Sequence, residues 1–171
     1  ARRRQAEAVY EMVRDEVKYS LEEASPFDLI LDVDVEDRDV VGELTVLGAE
    51  RENTTVEVIV AERGAIFPGS STIVIHRMLA RGSALDTLDG VPLAVSDGRM
   101  SLPFRRSLDD IERENAAYLD QLEADGAGAV SRMGLRIDPN AVIVVAIVRD
   151  ASSGEVLQAA SAEPPDEEAA P

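Results

Sequence analysis

Ala141 to Val148 reads AVIVVAIV, eight apolar residues in succession, preceded by Asp138-Pro139-Asn140 and followed by Arg149-Asp150. The run is far short of the roughly 20 residues that a helix needs to span a bilayer. Its length and β-branching point to a strand covered on both faces. No polar residue marks a side that water could reach, so the remaining chain must be arranged to cover it. The run is therefore expected to be the central strand of a sheet, with Val145 in the middle of the core.

The composition says what the cover is made of. Of 171 residues, 45% are hydrophobic but only 4% aromatic, so the core rests on Val, Ile, Leu and Ala. A chain of this length buries a real core as one domain. That domain is expected over residues 1–160, with 1–4 as a basic arm and 161–171, SAEPPDEEAAP, as an acidic, proline-bearing flexible tail. No cysteine is present, which excludes disulfides, thiolate metal sites and cysteine nucleophiles. No stretch reads as a transmembrane helix or a signal peptide. A cytoplasmic or virion setting is expected, not secretion through a disulfide-forming route.

Thirty-four acids stand against 17 bases, a formal net charge of −17, and Lys18 is the only lysine. Such charge repels itself in dilute buffer and is screened by salt. Adaptation to concentrated salt and a GC-rich coding bias both account for arginine in place of lysine. In either case binding to a nucleic-acid backbone is disfavoured, because that affinity comes from clustered cations. Protein partners, or copies of the chain itself, are expected instead.

Along the chain, Ala6, Val9, Val13, Val17, Leu21 and Ala24 recur at three- and four-residue steps, with Tyr10 and Met12 beside them. This predicts an amphipathic helix over 5–24, stopped by Ser25-Pro26. Phe27 to Val35, FDLILDVDV, alternates as a half-buried strand. With Val40–Leu47 and Thr54–Glu62 it forms an expected three-stranded antiparallel meander. Ser71–Leu79 reads as a strand, although Ser71 and Gly82 would equally bracket a short helix. Val91–Ser96 and Arg99–Phe104 flank Asp97-Gly98, a two-residue hairpin signal, and Pro92 and Pro103 put that hairpin at an edge. Ser107, with Asp110 three residues on, caps a second helix near 107–124 that Asp125-Gly126 stops. Met133, Leu135 and Ile137 alternate as a strand, and Glu155–Ala160 follows the central run as another. The expected fold is α+β: a mainly antiparallel sheet of about 7–9 short strands, packed by the N-terminal helix and the second helix.

Chemistry is sparse. Asp32 and Asp34 lie two apart on a strand, so both carboxylates share a face and reach one divalent cation. The heptad LILDVDV resembles the hhhDhDh motif of archaeo-eukaryotic-type primase and polymerase domains. The resemblance implies that these two aspartates hold metal ions for nucleotidyl transfer. The family's second motif places a histidine beside small residues, whereas the only histidine here, His76, sits in VIHRM. A haloacid-dehalogenase reading fails because Glu36 stands where Thr or Val should follow the DxD. The simpler reading of Asp32 and Asp34 is a solvated strand face, and of His76 a half-buried structural residue. No nucleophile elbow, dinucleotide fingerprint or P-loop occurs.

Three function classes follow. The favoured one is a non-enzymatic structural or assembly subunit, with no cofactor and no catalytic or metal residue. Its contacts would run through the arm Arg2-Arg3-Arg4 and the projecting turn Asp97-Gly98. The runner-up is a metal-dependent phosphoryl- or nucleotidyl-transfer enzyme using Asp32 and Asp34. The third is an acidic binding module that occupies a basic partner.

Overall fold

A computed structural model describes residues 9–15, 24–66, 75–87, 89–126, 128, 131–132 and 134–165. Residues 9–15 are helical (α1). The strands that follow are β1 (Phe27–Glu36), β2 (Asp39–Gly48), β3 (Thr54–Ile66), β4 (Ile75–Ser83), β5 (Val91–Pro92) and β6 (Arg99–Ser107). Helix α2 (Leu108–Ala124), a short 3-10 turn at Pro139–Ala141, β7 (Val142–Asp150) and β8 (Val156–Ala162) complete the order. The expected α+β class with a mainly antiparallel sheet is what forms, and all the pairings are antiparallel.

The sheet is split in two. One has the order β1-β2-β6; the other has the order β4-β3-β7-β8, with β5 beside β3. Their inner faces share one core: Phe27, Val40, Leu44 and Val46 from the first, Val56, Val58, Val60, Val142, Val144, Ala146 and Val148 from the second. Two glycines make room for aromatic rings. A Cβ on Gly42 would lie 2.6 Å from the Phe104 ring, and one on Gly48 would lie 2.6 Å from Phe27. At one side the sheets meet at β1 and β8, where Gln158 Nε2 donates to Phe27 O at 2.9 Å and Ser25 Oγ donates to Leu157 O at 3.0 Å. At the other, α2 packs against the end strands β6 and β4 and buries Leu108, Ile111 and Leu119.

Several expectations are corrected here. The meander stops at two strands: β1 pairs β2, but Thr54–Glu62 belongs to the other sheet, and β6 takes the place beside β2. Five linking residues suffice to cross the roughly 10 Å between packed sheets, so strand pattern alone could not fix the partner. The Asp97-Gly98 turn forms with φ of 52° and 77°, and Ser96 and Arg99 exchange two backbone hydrogen bonds at 3.0 Å. Its arms then part. Val91–Pro92 pairs Thr55–Val56 of β3 while β6 pairs β2, because Leu93 between them turns into the core.

Strand β4 forms, but it continues through Ser83, into residues expected to be loop; residues 71–74 of the expected strand lie outside the described residues. Leu135 and Ile137 are not in a strand; Met133 lies outside the described residues. Ser107 is the N-cap of α2 but makes no side-chain cap bond; the Leu108 N–H donates to Arg38 O at 2.9 Å. The last strand runs to Ala162, past the boundary expected at 160, because small Ala160 and Ala162 sit opposite Ala146 and Val144.

The largest correction concerns the run that opened the reading. β7 is an inner strand, flanked by β3 and β8, but only one face is in the core. Val142, Val144, Ala146 and Val148 point inward and are buried, whereas on the outward side Ile143 is buried and Val145 and Ile147 are half-buried. Successive side chains of a strand alternate, and a sandwich covers one side of each sheet. Val145 is therefore not at the centre of the core.

Candidate interaction surface

The outward side of the second sheet is apolar along its two inner strands, with Ser83 and Ser161 flanking the Ile59–Val145 pair. Strand register places Ile59 opposite Val145, Ala61 opposite Ile143, and Ile147 opposite Ala159. Ile59, Val145 and Ile147 are half-buried, and Ala61 and Ile143 beside them are buried. A groove of about 280 Å³ runs beside them, lined by Glu57, Ile59, Ala80 and Gly82–Ser83. Polar groups gather at one end, where Glu57 and Arg149 form an ion pair. Nearby, Met78 on β4 is 55% exposed.

Helix α1 is a second uncovered apolar element. Val9, Tyr10, Met12 and Val13 are 51%, 68%, 65% and 53% exposed. Every described residue of this helix is exposed, so its stripe does not pack on the sheets; the rest of the expected helix over 5–24 lies outside the described residues or in the link at Ala24. An isolated amphipathic helix is marginal in water and gains stability by burying its apolar face. Four large apolar side chains stand in solvent within five residues, which makes this helix a candidate contact surface.

Of the residues expected to carry contacts or chemistry, Arg2, Arg3 and Arg4 lie outside the described residues. Asp97 and Gly98 are exposed at their turn, which is tied to the end of β2 by Gly48 N donating to Gly98 O at 3.1 Å. Asp32 and Asp34 both point to solvent from β1, an end strand. Asp34 Oδ1 accepts from Val35 N at 2.7 Å and borders a groove of about 360 Å³ with Asp37, Arg63, Asn140 and Glu163; Asp32 does not line that groove. Among the described residues no three His, Asp or Glu side chains converge to hold a metal ion. His76 is half-buried in β4, opposite Ala65.

A buried ionic cluster went unforeseen. The side chains of Arg81 and Glu62 are 3% and 9% exposed and approach to 3.5 Å. Arg81 Nη2 donates to Leu135 O, and Glu62 Oε1 accepts from Asp138 N at 3.1 Å. Next to them Glu112 of α2 accepts from Ile137 N at 2.7 Å and pairs with Arg38, which also donates to Asp109 at 2.6 Å. Burial pulls the Arg81 guanidinium below its ordinary pKa, and the charges of Glu62 and Glu112 oppose that shift. The cluster clamps residues 135–138, the irregular approach to β7, between α2 and the second sheet. Its role is architectural. A sequence signal did exist: strict alternation along Thr54, Val56, Val58, Val60 turns Glu62 inward.

No protein-family model matches the chain, and no curated protein matches it in sequence. Among solved structures, HBP35 of Porphyromonas gingivalis is similar in fold, with a TM-score of 0.57 at 13% identity, over 82% of this chain and 41% of that one. The likeness thus spans about two-fifths of the HBP35 chain and is one of fold alone. A domain of the outer membrane lipoprotein Omp28 from Porphyromonas gingivalis gives a TM-score of 0.49 at 11% identity, over 83% of this chain and 90% of that one. Among the described residues no helix is long and apolar enough to cross a membrane.

Proposed function

We propose that the protein is a non-enzymatic assembly subunit that associates through the helical segment around residues 9–15. The observation that carries this reading is the clustered exposure of Val9, Tyr10, Met12 and Val13 within five residues, where Ile30, Met78, Tyr118 and Val156, the other exposed large apolar side chains among the described residues, lie on separate elements. Val9 and Val13 are one turn apart and form a single face with Met12, the spacing of helix contact residues. The two acids weighed for metal chemistry stand in solvent on an end strand, the environment of a hydrated surface. The basic arm Arg2-Arg3-Arg4 fits the same role, as an extension suited to an acidic neighbour.

The charge sets the conditions. With 34 acids against 17 bases, copies repel at low ionic strength, and the Debye length falls from about 10 Å at 0.1 M salt to about 3 Å at 1 M. Association is expected to strengthen with sodium chloride, and so is thermal stability. Sedimentation velocity across a salt series should show a defined oligomer for the full chain and a monomer for Val9→Glu/Val13→Glu. A wild-type chain that stays monomeric at high concentration in molar salt, and draws no partner through this helix, would overturn the reading.

A further inference from the structure

Resting on that assembly reading, we infer that copies gathered through the helix also pair edge to edge along β4, antiparallel about a two-fold axis at Met78, so that the larger sheet runs on into a second copy.

The first observation is an open edge. β4 ends the order β4-β3-β7-β8, and among the described residues no strand pairs its outer side. The end strands β1 and β8, by contrast, lie against each other, tied by Gln158 and Ser25. Helix α2 reaches β4 at its later residues, where Asn115 Nδ2 donates to Arg81 O at 2.9 Å. Ahead of that contact Arg77, Met78 and Ala80 are all exposed. The unpaired N–H and C=O groups of an end strand are a template for another strand.

The second observation is charge. Residues 63–85 hold no Asp or Glu across 23 positions, whereas the next longest run without an acid, 126–137, has 12. β4 lies wholly inside the longer run. Two copies at −17 each repel one another, and the repulsion is weakest where no carboxylates are brought together. The open edge is therefore also the edge that a like-charged copy approaches most easily.

The residues then choose the register. An axis at Arg77 would set two guanidinium groups directly opposite each other, which is destabilising. Moving the axis by one residue, to Met78, puts Arg77 opposite Leu79 and His76 opposite Ala80. The two Met78 side chains, 55% exposed in one chain, then cover each other. A contact that uses the same residues on both copies closes as a dimer. A pairing this short falls below the roughly 1,000 Å² of a stable interface. It forms between copies that the helix already holds, at the raised effective concentration of a tethered pair.

The chain lacks cysteine, so a single introduced thiol reports on the axis. Oxidised in 1 M sodium chloride, Met78→Cys should give a species of twice the 18.4 kDa chain mass on a non-reducing gel, because a residue on a two-fold axis meets its own copy. Val156→Cys, at a position 57% exposed on β8, should stay at monomer mass. Separately, Met78→Glu should weaken association in molar salt by at least about tenfold with the circular dichroism of the wild type, and Met78→Leu should leave association unchanged.

A chain that sediments as an oligomer yet gives no cross-link in Met78→Cys sinks this pairing and leaves the assembly reading standing. Equal cross-linking of Met78→Cys and Val156→Cys reports collision alone and sinks it too, as does Met78→Glu associating like the wild type. Cross-linking by Met78→Cys that persists in the Val9→Glu/Val13→Glu background upholds the β4 pairing and overturns the role of the helix. A wild-type chain that stays monomeric in molar salt overturns both.

Discussion

The outer faces of the two sheets are built from the same period-two alternation, yet they are opposite in chemistry. On the three-stranded sheet, β1 presents Asp28, Asp32, Asp34 and Glu36, and β6 answers with Arg105, bonded to Asp39 at 2.8 Å and Glu36 at 3.1 Å. Charged side chains predominate on that face, although Ile30, between Asp28 and Asp32, is 51% exposed. On the larger sheet the equivalent positions are Ile59, Ala61, Val145 and Ile147. An antiparallel sheet with one solvated side normally alternates polar and apolar residues. The larger sheet keeps that rule at its ends, through Glu57 and Arg149, and breaks it in the middle. The difference separates a face dominated by charge from one whose apolar side chains are half-buried or buried.

The sharpest way to break this comparison is to put the same charge on each side of β7. Val144→Asp places a carboxylate at a fully buried position, where an unpaired charge costs several kcal/mol against a total stability of about 5–15 kcal/mol. It should abolish cooperative unfolding in urea. Val145→Asp, one residue along and half-buried on the outward side, should keep a cooperative transition. If both unfold alike, the two faces of β7 are not distinct.

Next in size is the buried pair. Arg81→Met leaves Glu62 without its cation and should cost about 3–5 kcal/mol in urea denaturation. An effect below about 1 kcal/mol would mean that the 135–138 segment is held by packing alone.

Acid should act at the β7–β8 turn. The Ser152 hydroxyl, then the backbone N–H groups of Ser153 and Ser152, hold Asp150 down at about 2 from its ordinary 3.8. A depressed folded value contributes stability that is fully present above the unfolded pKa and lost as pH falls through the folded one. The thermal midpoint of Asp150→Asn should therefore fall less steeply than wild type between about pH 4 and about pH 2. A carboxyl NMR titration giving Asp150 an ordinary midpoint would contradict this.

The smallest effect is expected on the hydrated face. Asp32→Ser should change stability by about 0.5 kcal/mol or less in the same urea measurement. A larger loss would show that β1 carries more than solvated charge.

Much of this molecule was legible in its residues. Alternation gave β1, β2 and the start of β3; Asp97-Gly98 gave its turn; and the stripe of Leu108, Ile111 and Leu119 gave α2. Those are local signals, set by side-chain period and backbone sterics over a few residues. The need for cover was half legible: the run at 141–148 announced that two faces needed cover, and the N-terminal stripe announced an amphipathic helix, whose described part is exposed.

Tertiary structure alone decided which strands pair and which side of each is core. It carried β3 into the second sheet, split the arms of the 91–104 hairpin, and turned Val145 outward. An apolar residue looks the same in sequence whether its cover is its own chain or a neighbour. The hydrophobic effect rewards area removed from water without regard to what removes it. Sequence therefore determined how much apolar surface must be hidden, and only the packed chain revealed which residues hide it.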